Sequence, residues 1–452
     1  MTMKSGIRVK NKLSQAQFIV IGFLIIVMIS TVLLMFPFAS KDGTRTPFLD
    51  CLFTSVSATC VTGLVVADTF THWSMGGQLI ILTLIQIGGL GFITIGVVFS
   101  MLLRQRIGLK FRGLMQESVN SLKISGIVKL TRKIIKGTLI IEGAGALILG
   151  IRFSVYFKNA ATGFYYGLWH SVSAFCNAGF DLMGVEEEYS SLTAFAGDYV
   201  VNIVIMALII IGGIGFVVWD DISRNKLKFR KYSLHTKIVL VTTAFLIVVP
   251  AVLFYIVEYD NTMAGMNVGE RVLASAFSSV TARTAGFNTV DTGALTGASK
   301  MLTIILMFIG GSPGSTAGGI KTTTIFVLLV NLFAGIRSGA GGSVFRRRFE
   351  EDAIKKASTV FILNLMLAVT AVFAVLAFNG LPFEDVAFEV FSAIGTVGMS
   401  TGLTRSLNNV SRIIIVILMF CGRIGSLSFA MSIMKTKKRA PVYYPDEKIS
   451  IG

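Results

Sequence analysis

Long apolar stretches alternate with short half-apolar segments along the chain, and this order recurs four times. The long stretches cover about 17–38, 75–103, 128–157, 199–219, 236–257, 301–335, 357–378 and 412–434, and the short segments cover about 47–59, 161–175, 268–282 and 383–394. A helix of about 20 apolar residues crosses a bilayer. The pattern therefore predicts eight crossing helices, with the short segments entering the membrane and returning.

A turn that contains glycine follows each short segment. Residues 57–64, 173–180 and 392–399 share a Ser-Ala pair and a later glycine, and 281–287 is a shorter copy. The glycines, Gly63, Gly179, Gly286 and Gly398, recur roughly every 110 residues, which indicates four copies of one unit. Non-helical backbone at membrane depth must be buried in protein or line water. We therefore expect an all-α integral membrane protein with four pseudo-symmetric helix–pore loop–helix repeats, comprising eight transmembrane helices and four re-entrant pore loops, around a central pore.

The repeats predict the domain organisation and the orientation of the chain. The predicted units are a cytoplasmic N-terminal tail at 1–15, repeat 1 at 16–104, repeat 2 at 125–221, repeat 3 at 236–338, repeat 4 at 354–434 and a cytoplasmic C-terminal tail at 435–452. Basic residues concentrate in the tails and between repeats, while most acids lie in the other hydrophilic segments. This distribution predicts a multi-pass cell-membrane protein with both termini in the cytoplasm.

Composition and charge exclude several other classes of protein. The chain is 53% hydrophobic and 14% charged, with a mean hydropathy of +0.75, whereas soluble domains carry about 25% charged residues. A net charge of +17 is compatible with nucleic-acid binding, but its placement beside apolar stretches favours contact with membrane lipid instead. We expect no nucleic-acid partner.

Cysteine and histidine are not spaced as they are in metal or catalytic sites. No paired acids occur in matching helices either, so we expect no enzyme and no resident metal. Cysteines at the same place in two repeats could form a disulfide, but free thiols inside the bilayer are the better interpretation. The residues concerned are Cys51, Cys60, Cys176 and Cys421, with His72, His170 and His235.

The glycine turns have the chemistry of a cation path. A cation that leaves water needs oxygen ligands, and rings of backbone carbonyls supply them. Glycine permits the close approach and the unusual dihedral angles that such a ring requires. The short helices before the turns end with partial negative charge, which favours cations. A single glycine would more simply serve close helix packing, but four at a near-constant period favour the pore.

The turn sequences resemble those of a known family of transporters. Residues 59–63, 176–180, 283–288 and 395–398 are similar to the four filter loops of the Trk/Ktr/HKT superfamily of potassium transporters, and in particular to bacterial KtrB-type membrane subunits. The filter residues that this resemblance implies are Cys60, Val61, Thr62, Gly63, Cys176, Asn177, Ala178, Gly179, Thr284, Ala285, Gly286, Thr396, Val397 and Gly398.

The resemblance also implies a function and partners. It implies potassium uptake that is often sodium-dependent, one pore per subunit, a homodimer and a KtrA/KtrC-like cytoplasmic nucleotide-binding ring. Potassium, and sodium as a second cation, would be transported ions, and no organic cofactor is expected in this chain. Some plant relatives have serine at the first filter glycine and pass sodium, so Gly63 favours potassium.

The second long stretch of repeat 3 is unsuited to a continuous helix. Proline costs about 3 kcal/mol in a helix interior and each glycine about 1 kcal/mol. We expect a broken helix that enters the path below the filter as a gate, and the resemblance supports this because the family has its gating loop here. A simple kink or a packing cleft is the alternative. The predicted gate comprises Gly310, Gly311, Ser312, Gly314, Ser315, Thr316, Ala317, Gly318, Gly319 and Lys321, together with Arg423 of repeat 4.

Three basic residues near the path require separate explanations. Arg423 lies where the other repeats have glycine, and a charge at mid-membrane costs at least about 2.5–3.5 kcal/mol. We expect it to bind the repeat 3 segment, with pairing to Glu142 as the alternative. Lys321 either binds a carbonyl or faces the cytoplasm. Arg283 lies in the third turn, and we expect it to point away from the axis and to bind filter backbone.

Two other transport functions remain open from the sequence. An alternating-access transporter coupled to a second cation could also contain repeats and broken helices. A sodium-selective path would need the same kind of turns. Alternating-access proteins more often have two repeats with ionisable groups at the binding site, so four glycine turns favour a continuous path.

Overall fold

The computed structural model describes residues 14–91, 112–113, 115–116, 126–226, 228–337, 343–345, 347–426, 429, 445 and 447. The predicted repeat boundaries at 104, 125, 338 and 434, and nearly all of both predicted tails, lie outside the described residues. The word repeat is used below for the sequence units defined above.

The regular secondary structure of the described residues consists of helices and one short strand pair. The helices are α1 (Gln15–Leu34), α2 (Phe48–Thr59), α3 (Met75–Leu90), α4 (Ile127–Tyr156), α5 (Ala160–Cys176), α6 (Tyr199–Gly213), α7 (Phe216–Asn225), α8 (Leu234–Val257), α9 (Val268–Thr281), α10 (Gly297–Phe308), α11 (Thr322–Ile336), α12 (Glu351–Asn379), α13 (Phe383–Gly395) and α14 (Asn409–Ile424). Strands β1 (Ser343–Val344) and β2 (Arg347–Arg348) pair antiparallel between α11 and α12.

The first helix of each repeat is long enough to cross a membrane. Among the described residues, α1, α4, α8 and α12 pass this test, and α6 with α7 forms a fifth candidate if the bent pair is one span. These helices leave large apolar side chains exposed, such as Ile29 at 58% and Phe373 at 74%. An apolar exposed surface of this kind is suited to lipid.

The short half-apolar segments form short helices, as the sequence predicts. α2, α5, α9 and α13 contain 12, 17, 14 and 13 residues. At about 1.5 Å per residue none of them reaches across a hydrocarbon core of about 30 Å. Most of their residues are buried, and each helix ends where a glycine turn begins. The fold thus brings the four turns into the interior.

The second helix also ends or bends early in repeats 1, 2 and 4, which corrects the prediction of an interruption in repeat 3 alone. α3 and α14 end before Gly91 and Gly425, and α6 turns into α7 by 97° at Gly215. These three glycines have φ values of 79°, 91° and 97°, which L-residues resist. The continuous helices predicted at 75–103, 199–219 and 412–434 were therefore wrong. Eight complete crossings stay a prediction.

The hydrophobic clusters connect the repeats in a closed cycle. One cluster contains residues of repeats 1, 2 and 3, including Phe153. A second joins Phe53 of repeat 1 to Val390 of repeat 4, and a third joins Leu306 of repeat 3 to Phe388 of repeat 4. Apolar burial therefore holds each repeat against its two neighbours.

Candidate functional site

The four glycine turns, defined as residues 60–63, 176–179, 283–286 and 395–398, meet in a closed ring. A methyl group added to Gly63, Gly179, Gly286 or Gly398 would lie 2.4, 2.7, 2.4 or 2.1 Å from the carbonyl oxygen of Ala178, Ala285, Val397 or Thr62, respectively. Each glycine thus faces the carbonyl before the next glycine, and the fourth returns to the first. Real Cβ atoms do not approach an oxygen this closely, so a side chain at any of the four positions would displace its neighbour.

The turns also share an unusual backbone conformation. The four glycines have φ between 69° and 91°. Two residues earlier in every turn stands a non-glycine residue with positive φ, where strain costs about 1–3 kcal/mol. These residues are Val61 (56°), Asn177 (58°), Thr284 (73°) and Thr396 (51°). Such strain persists only where the surroundings hold it, and it is typical of functional sites.

The repeated serine before the turns has a structural role in two of them. The hydroxyls of Ser57 and Ser392 accept the amide N–H of Gly63 and Gly398, each at 3.1 Å. In the shorter third copy, Thr281 instead donates its hydroxyl to the Phe287 carbonyl at 2.5 Å. The sequence shows the recurring serine, but it does not show that the serine hydroxyl binds the glycine amide of the turn.

All four glycines line one cavity on the side of the ring away from the broken helices. Its volume is about 160 Å³, and its wall includes the carboxylates of Asp68, Asp181 and Asp291 as well as Arg405. Asp68 accepts the amides of Phe70, Thr71 and Tyr189 at 2.9, 2.8 and 3.2 Å. The pKa of Asp181 is raised to about 6. Burial is the largest cause and the nearby Asp68 carboxylate acts in the same direction, whereas the hydrogen bond from the Met183 amide lowers the pKa. The cavity wall is therefore mainly acidic.

Glycines of the second helices pack beneath three of the turns. A methyl group on Gly88, Gly212 or Gly422 would lie 2.0, 2.0 or 2.2 Å from the carbonyl oxygen of Thr59, Phe175 or Ile394. These three carbonyls stand at the same place in their repeats. In repeat 3 the corresponding Gly310 faces the carbonyl of Gly318 instead. Close packing explains the shared glycines, and repeat 3 differs because its own chain fills the space.

The segment between α10 and α11, residues 309–321, passes beneath the second and fourth turns. The Thr316 hydroxyl lies 3.1 Å from the Phe175 carbonyl and 3.2 Å from the Asn177 side-chain oxygen. A methyl group on Gly318 would lie 2.0 Å from the hydroxyl of Thr396. This segment, called the broken segment below, therefore extends across the space under the ring rather than forming a simple kink.

The broken segment is bound by backbone hydrogen bonds to the bend between α6 and α7. The Ser312 and Thr316 amides donate to the Gly213 and Gly212 carbonyls at 3.0 and 3.3 Å. In the opposite direction, the Phe216 amide donates to the Gly314 carbonyl at 2.7 Å. Repeats 2 and 3 are consequently joined below the turns.

Arg423 makes the contact predicted from the sequence and extends it to repeat 1. Its guanidinium donates to the Thr316 carbonyl of the broken segment, to the Gly88 carbonyl and, at 3.1 Å, to the Gly89 carbonyl. Glu142 instead accepts from the Gln86 amide at 3.1 Å. The alternative pairing of Arg423 with Glu142 was therefore wrong.

The other two basic residues also have defined surroundings. Lys321 donates to the Ala317 and Gly318 carbonyls at 2.8 and 3.3 Å, so it caps its own segment. Arg283 is 7% exposed and lines a cavity of about 10 Å³ with Thr243. Within the described chain its guanidinium has no hydrogen-bond partner. The prediction that Arg283 binds filter backbone was wrong.

The buried cysteines are free thiols, as predicted. Cys51, Cys60, Cys176 and Cys421 form no disulfide. Within the described residues no group of three histidine, cysteine or acidic side chains could hold a metal ion. The remaining predicted filter and gate residues lie in the ring and the broken segment described above.

Comparison with known proteins gives consistent relatives over nearly the whole chain. The sequence model described as "TrkH: Cation transport protein" matches residues 7–440. The chain is 40% identical to the potassium/sodium uptake protein NtpJ of Enterococcus hirae over 452 residues, which cover 98% of this chain and 99% of the relative. It is also 40% identical to the Ktr system potassium uptake protein B of Bacillus subtilis, over 96% of each chain.

A solved structure has the same fold. The potassium transporter TrkH from Vibrio parahaemolyticus superposes with a TM-score of 0.73 at 17% sequence identity, covering 94% of this chain and 86% of that one. The likeness confirms the predicted fold class, an all-α membrane protein.

Proposed function

Because the chain belongs to the TrkH family of cation transport proteins, we propose that it carries potassium into the cell through a channel-like pore. Members of this family transport ions and are not enzymes, which confirms the prediction that this chain is not an enzyme. The relatives' names specify potassium uptake and, for NtpJ, potassium or sodium.

The closed ring of glycine turns carries this proposal. Four equivalent carbonyls, of Thr62, Ala178, Ala285 and Val397, each lie against the next glycine around the ring. A ring of backbone carbonyls can replace the hydration shell of potassium. The acidic cavity beside the ring would concentrate cations at its entrance. The residues of the four turns are accordingly proposed as the filter.

The broken segment is proposed as the gate. It extends beneath two turns and is held by Arg423 and by the α6–α7 bend. The charges of Arg423 and Lys321 would oppose a cation in this position. Opening then requires the segment to leave the path, and its glycines permit such a change of backbone conformation.

Regulation and assembly follow from the relatives rather than from geometry. The relatives named as parts of a Ktr system support a cytoplasmic nucleotide-binding subunit as partner. We also propose a homodimer and a dependence of the transport rate on sodium, as the resemblance of the turns implies. Both termini would then lie in the cytoplasm.

Ion flux in liposomes that contain the purified protein tests the function. We expect potassium influx under an inside-negative voltage, with a lower Michaelis constant for potassium than for sodium. The measurement is repeated without sodium and with the soluble partner that copurifies. Sodium and the partner should change the rate without a fixed ratio of sodium to potassium.

The same liposomes distinguish the alternatives. If a potassium gradient drives sodium uphill in a fixed ratio, the protein is a coupled alternating-access transporter. If sodium enters with the lower Michaelis constant, the path is sodium-selective. Either result would contradict the proposed potassium pore.

A further inference from the structure

Glu389 is a buried carboxylate next to the fourth glycine turn. It lies on α13, the helix that leads into this turn, and it is 1% exposed. The residues at the corresponding place on the other three short helices are Thr54, His170 and, because the third copy is one residue shorter, Ser278, so only repeat 4 has an acid here. A buried acid needs hydrogen-bond donors to offset its lost hydration.

The donors to Glu389 come from the chain that leaves the turn. The Ser400 hydroxyl lies 3.2 and 3.0 Å from the two carboxylate oxygens, and the Thr404 hydroxyl donates to one of them. Ser400 also accepts the Gly402 amide at 3.0 Å. Within the described residues no basic side chain bonds to Glu389. The Arg405 guanidinium instead lies over the Tyr189 ring, 4.2 Å from its centroid.

The fourth turn is thus held on both sides of its glycine. On the helix side, Ser392 accepts the Gly398 amide at 3.1 Å. On the exit side, Glu389 binds the residues that follow Gly398. The exits of the first two turns are held differently: Asp68 and Asp181 accept amides of their own loops, with no acid on α2 or α5 involved. In repeats 2 and 3 the short helix reaches the exit through Trp169 and Thr281, which donate to the Phe180 and Phe287 carbonyls at 3.1 and 2.5 Å. Within the described residues, an acid on the short helix that binds the exit occurs in repeat 4 alone.

We propose that Glu389 is a positioning residue that fixes the exit of the fourth turn and thereby sets the selectivity among cations. This inference rests on the proposed potassium pore. A carbonyl ring discriminates between cations only if its oxygens hold their separation. The Val397 carbonyl lies against Gly286, and Gly398 lies against Thr62 and Gly63, so movement of the exit would be transmitted to the third and first turns.

The test compares potassium and sodium uptake by variants in liposomes. In Glu389→Ala the ratio of the sodium to the potassium Michaelis constant should fall by about tenfold, the equivalent of about one hydrogen bond, while the maximum rate is retained. Glu389→Gln keeps one acceptor oxygen and should recover part of the ratio. Thr404→Val removes a hydrogen-bond donor while Glu389 itself stays unchanged, and it should shift the ratio in the same direction, whereas Thr404→Ser should not.

Glu258 provides a matched control. It is another buried glutamate at a helix end, and it accepts from Thr296, Asn261 and Thr262 at 2.7, 2.8 and 2.8 Å, away from the turns. Glu258→Ala should lower thermal stability and leave the ratio of Michaelis constants unchanged. An equal shift in the ratio would mean that general loss of stability is the cause, and would overturn the proposal.

Two further outcomes separate the possible failures. If Thr404→Val keeps the wild-type ratio and Glu389→Gln behaves like Glu389→Ala, the hydrogen bonds between Glu389 and the exit do not set the ratio and no clamp exists. If the wild-type protein itself does not prefer potassium, the proposed function fails. If the wild type prefers potassium and Glu389→Ala does so equally, only the role of Glu389 is rejected.

Discussion

At each turn, two separate constraints require glycine. Gly63 has a φ of 91°, and a methyl group there would lie 2.4 Å from the Ala178 carbonyl oxygen. A positive φ alone costs an L-residue about 1–2 kcal/mol. The carbonyl contact adds a cost that the turn can relieve only by moving a proposed filter oxygen.

Gly63→Ala should therefore reduce potassium uptake by about tenfold or more, since about 1.4 kcal/mol at the barrier changes a rate tenfold. Gly265 is the control because its φ is 85° while nothing lies within 4 Å of an added methyl group. Gly265→Ala should have nearly wild-type uptake in the same flux assay. Equal losses in the two variants would contradict a role for the ring contact.

Asp181 should make potassium uptake depend on pH. Burial raises its pKa to about 6, so the side chain is charged above this pH and becomes neutral as the pH falls below it. Loss of a negative charge at the cavity should raise the Michaelis constant for potassium by about threefold or more between pH 7 and pH 5.

Asp181→Asn should abolish that pH dependence and have the high Michaelis constant throughout. Glu187→Gln, which removes an exposed carboxylate from the same connection, should keep the wild-type pH profile. An unchanged pH profile in Asp181→Asn would assign the titration to another group.

Among the elements, the bend between α6 and α7 is directly coupled to the broken segment. Gly215 and Gly425 occupy corresponding helix breaks with φ of 97° and 91°. A methyl group on Gly215 would lie 2.6 Å from the Pro313 carbonyl oxygen, whereas nothing lies within 4 Å of one on Gly425. Gly215→Ala should change the difference between the flux measured with the partner and the flux measured without it. Gly425→Ala should leave that difference unchanged and cost only about 1–2 kcal/mol of stability. Single-channel or flux recordings with and without the partner would measure this difference, and equal behaviour would contradict the coupling.

Arg423→Ala removes the bonds from α14 to the broken segment and to α3. A hydrogen bond from a charged group contributes about 1.5–3 kcal/mol, so flux without the partner should rise by about tenfold. Arg412→Ala is the control on the same helix, because Arg412 pairs with Asp50 at the far end of α14. Wild-type closure in Arg423→Ala would exclude a role for these bonds in the gate.

The long helices and the glycine turns could be predicted from the sequence, whereas the early ends of the second helices could not. Apolar length predicts α1, α4, α8 and α12, and the recurring glycine locates the turns. The early helix ends at Gly91, Gly215 and Gly425 were missed because glycine clusters in apolar helices also serve close packing between helices. Arg423 was predictable because a mid-membrane charge needs oxygen partners. The clamp by Glu389 was not predictable, because Ser400 and Thr404 reach Glu389 only when the chain after the fourth turn folds back onto α13.

For the whole molecule, the ion pair between Arg412 and Asp50 joins repeat 4 to repeat 1 at 2.8 Å. Both side chains are partly exposed, and such pairs contribute about 0–1 kcal/mol. Asp50→Asn should therefore lower the melting temperature by only about 2 °C. Exchanging the two charges in an Asp50→Arg, Arg412→Asp double variant should restore it. A large loss in Asp50→Asn would mean that the apolar contacts between these repeats are weaker than the shared cluster suggests.

The closed cycle of repeats also determines when the ring of four turns can form during synthesis. Gly398 lies against Thr62 and Gly63, and one apolar cluster joins repeats 1 and 4. The first turn is made early at the ribosome, yet its partner emerges only after most of the chain has been translated. Until then, α2 and its turn have one neighbour instead of two, so the newly inserted chain must shelter polar backbone from lipid by other means. The ring of turns can therefore close only after α13 and the fourth turn have been made, and a nascent chain halted before α13 would contain three turns, with the first lacking its neighbour from repeat 4.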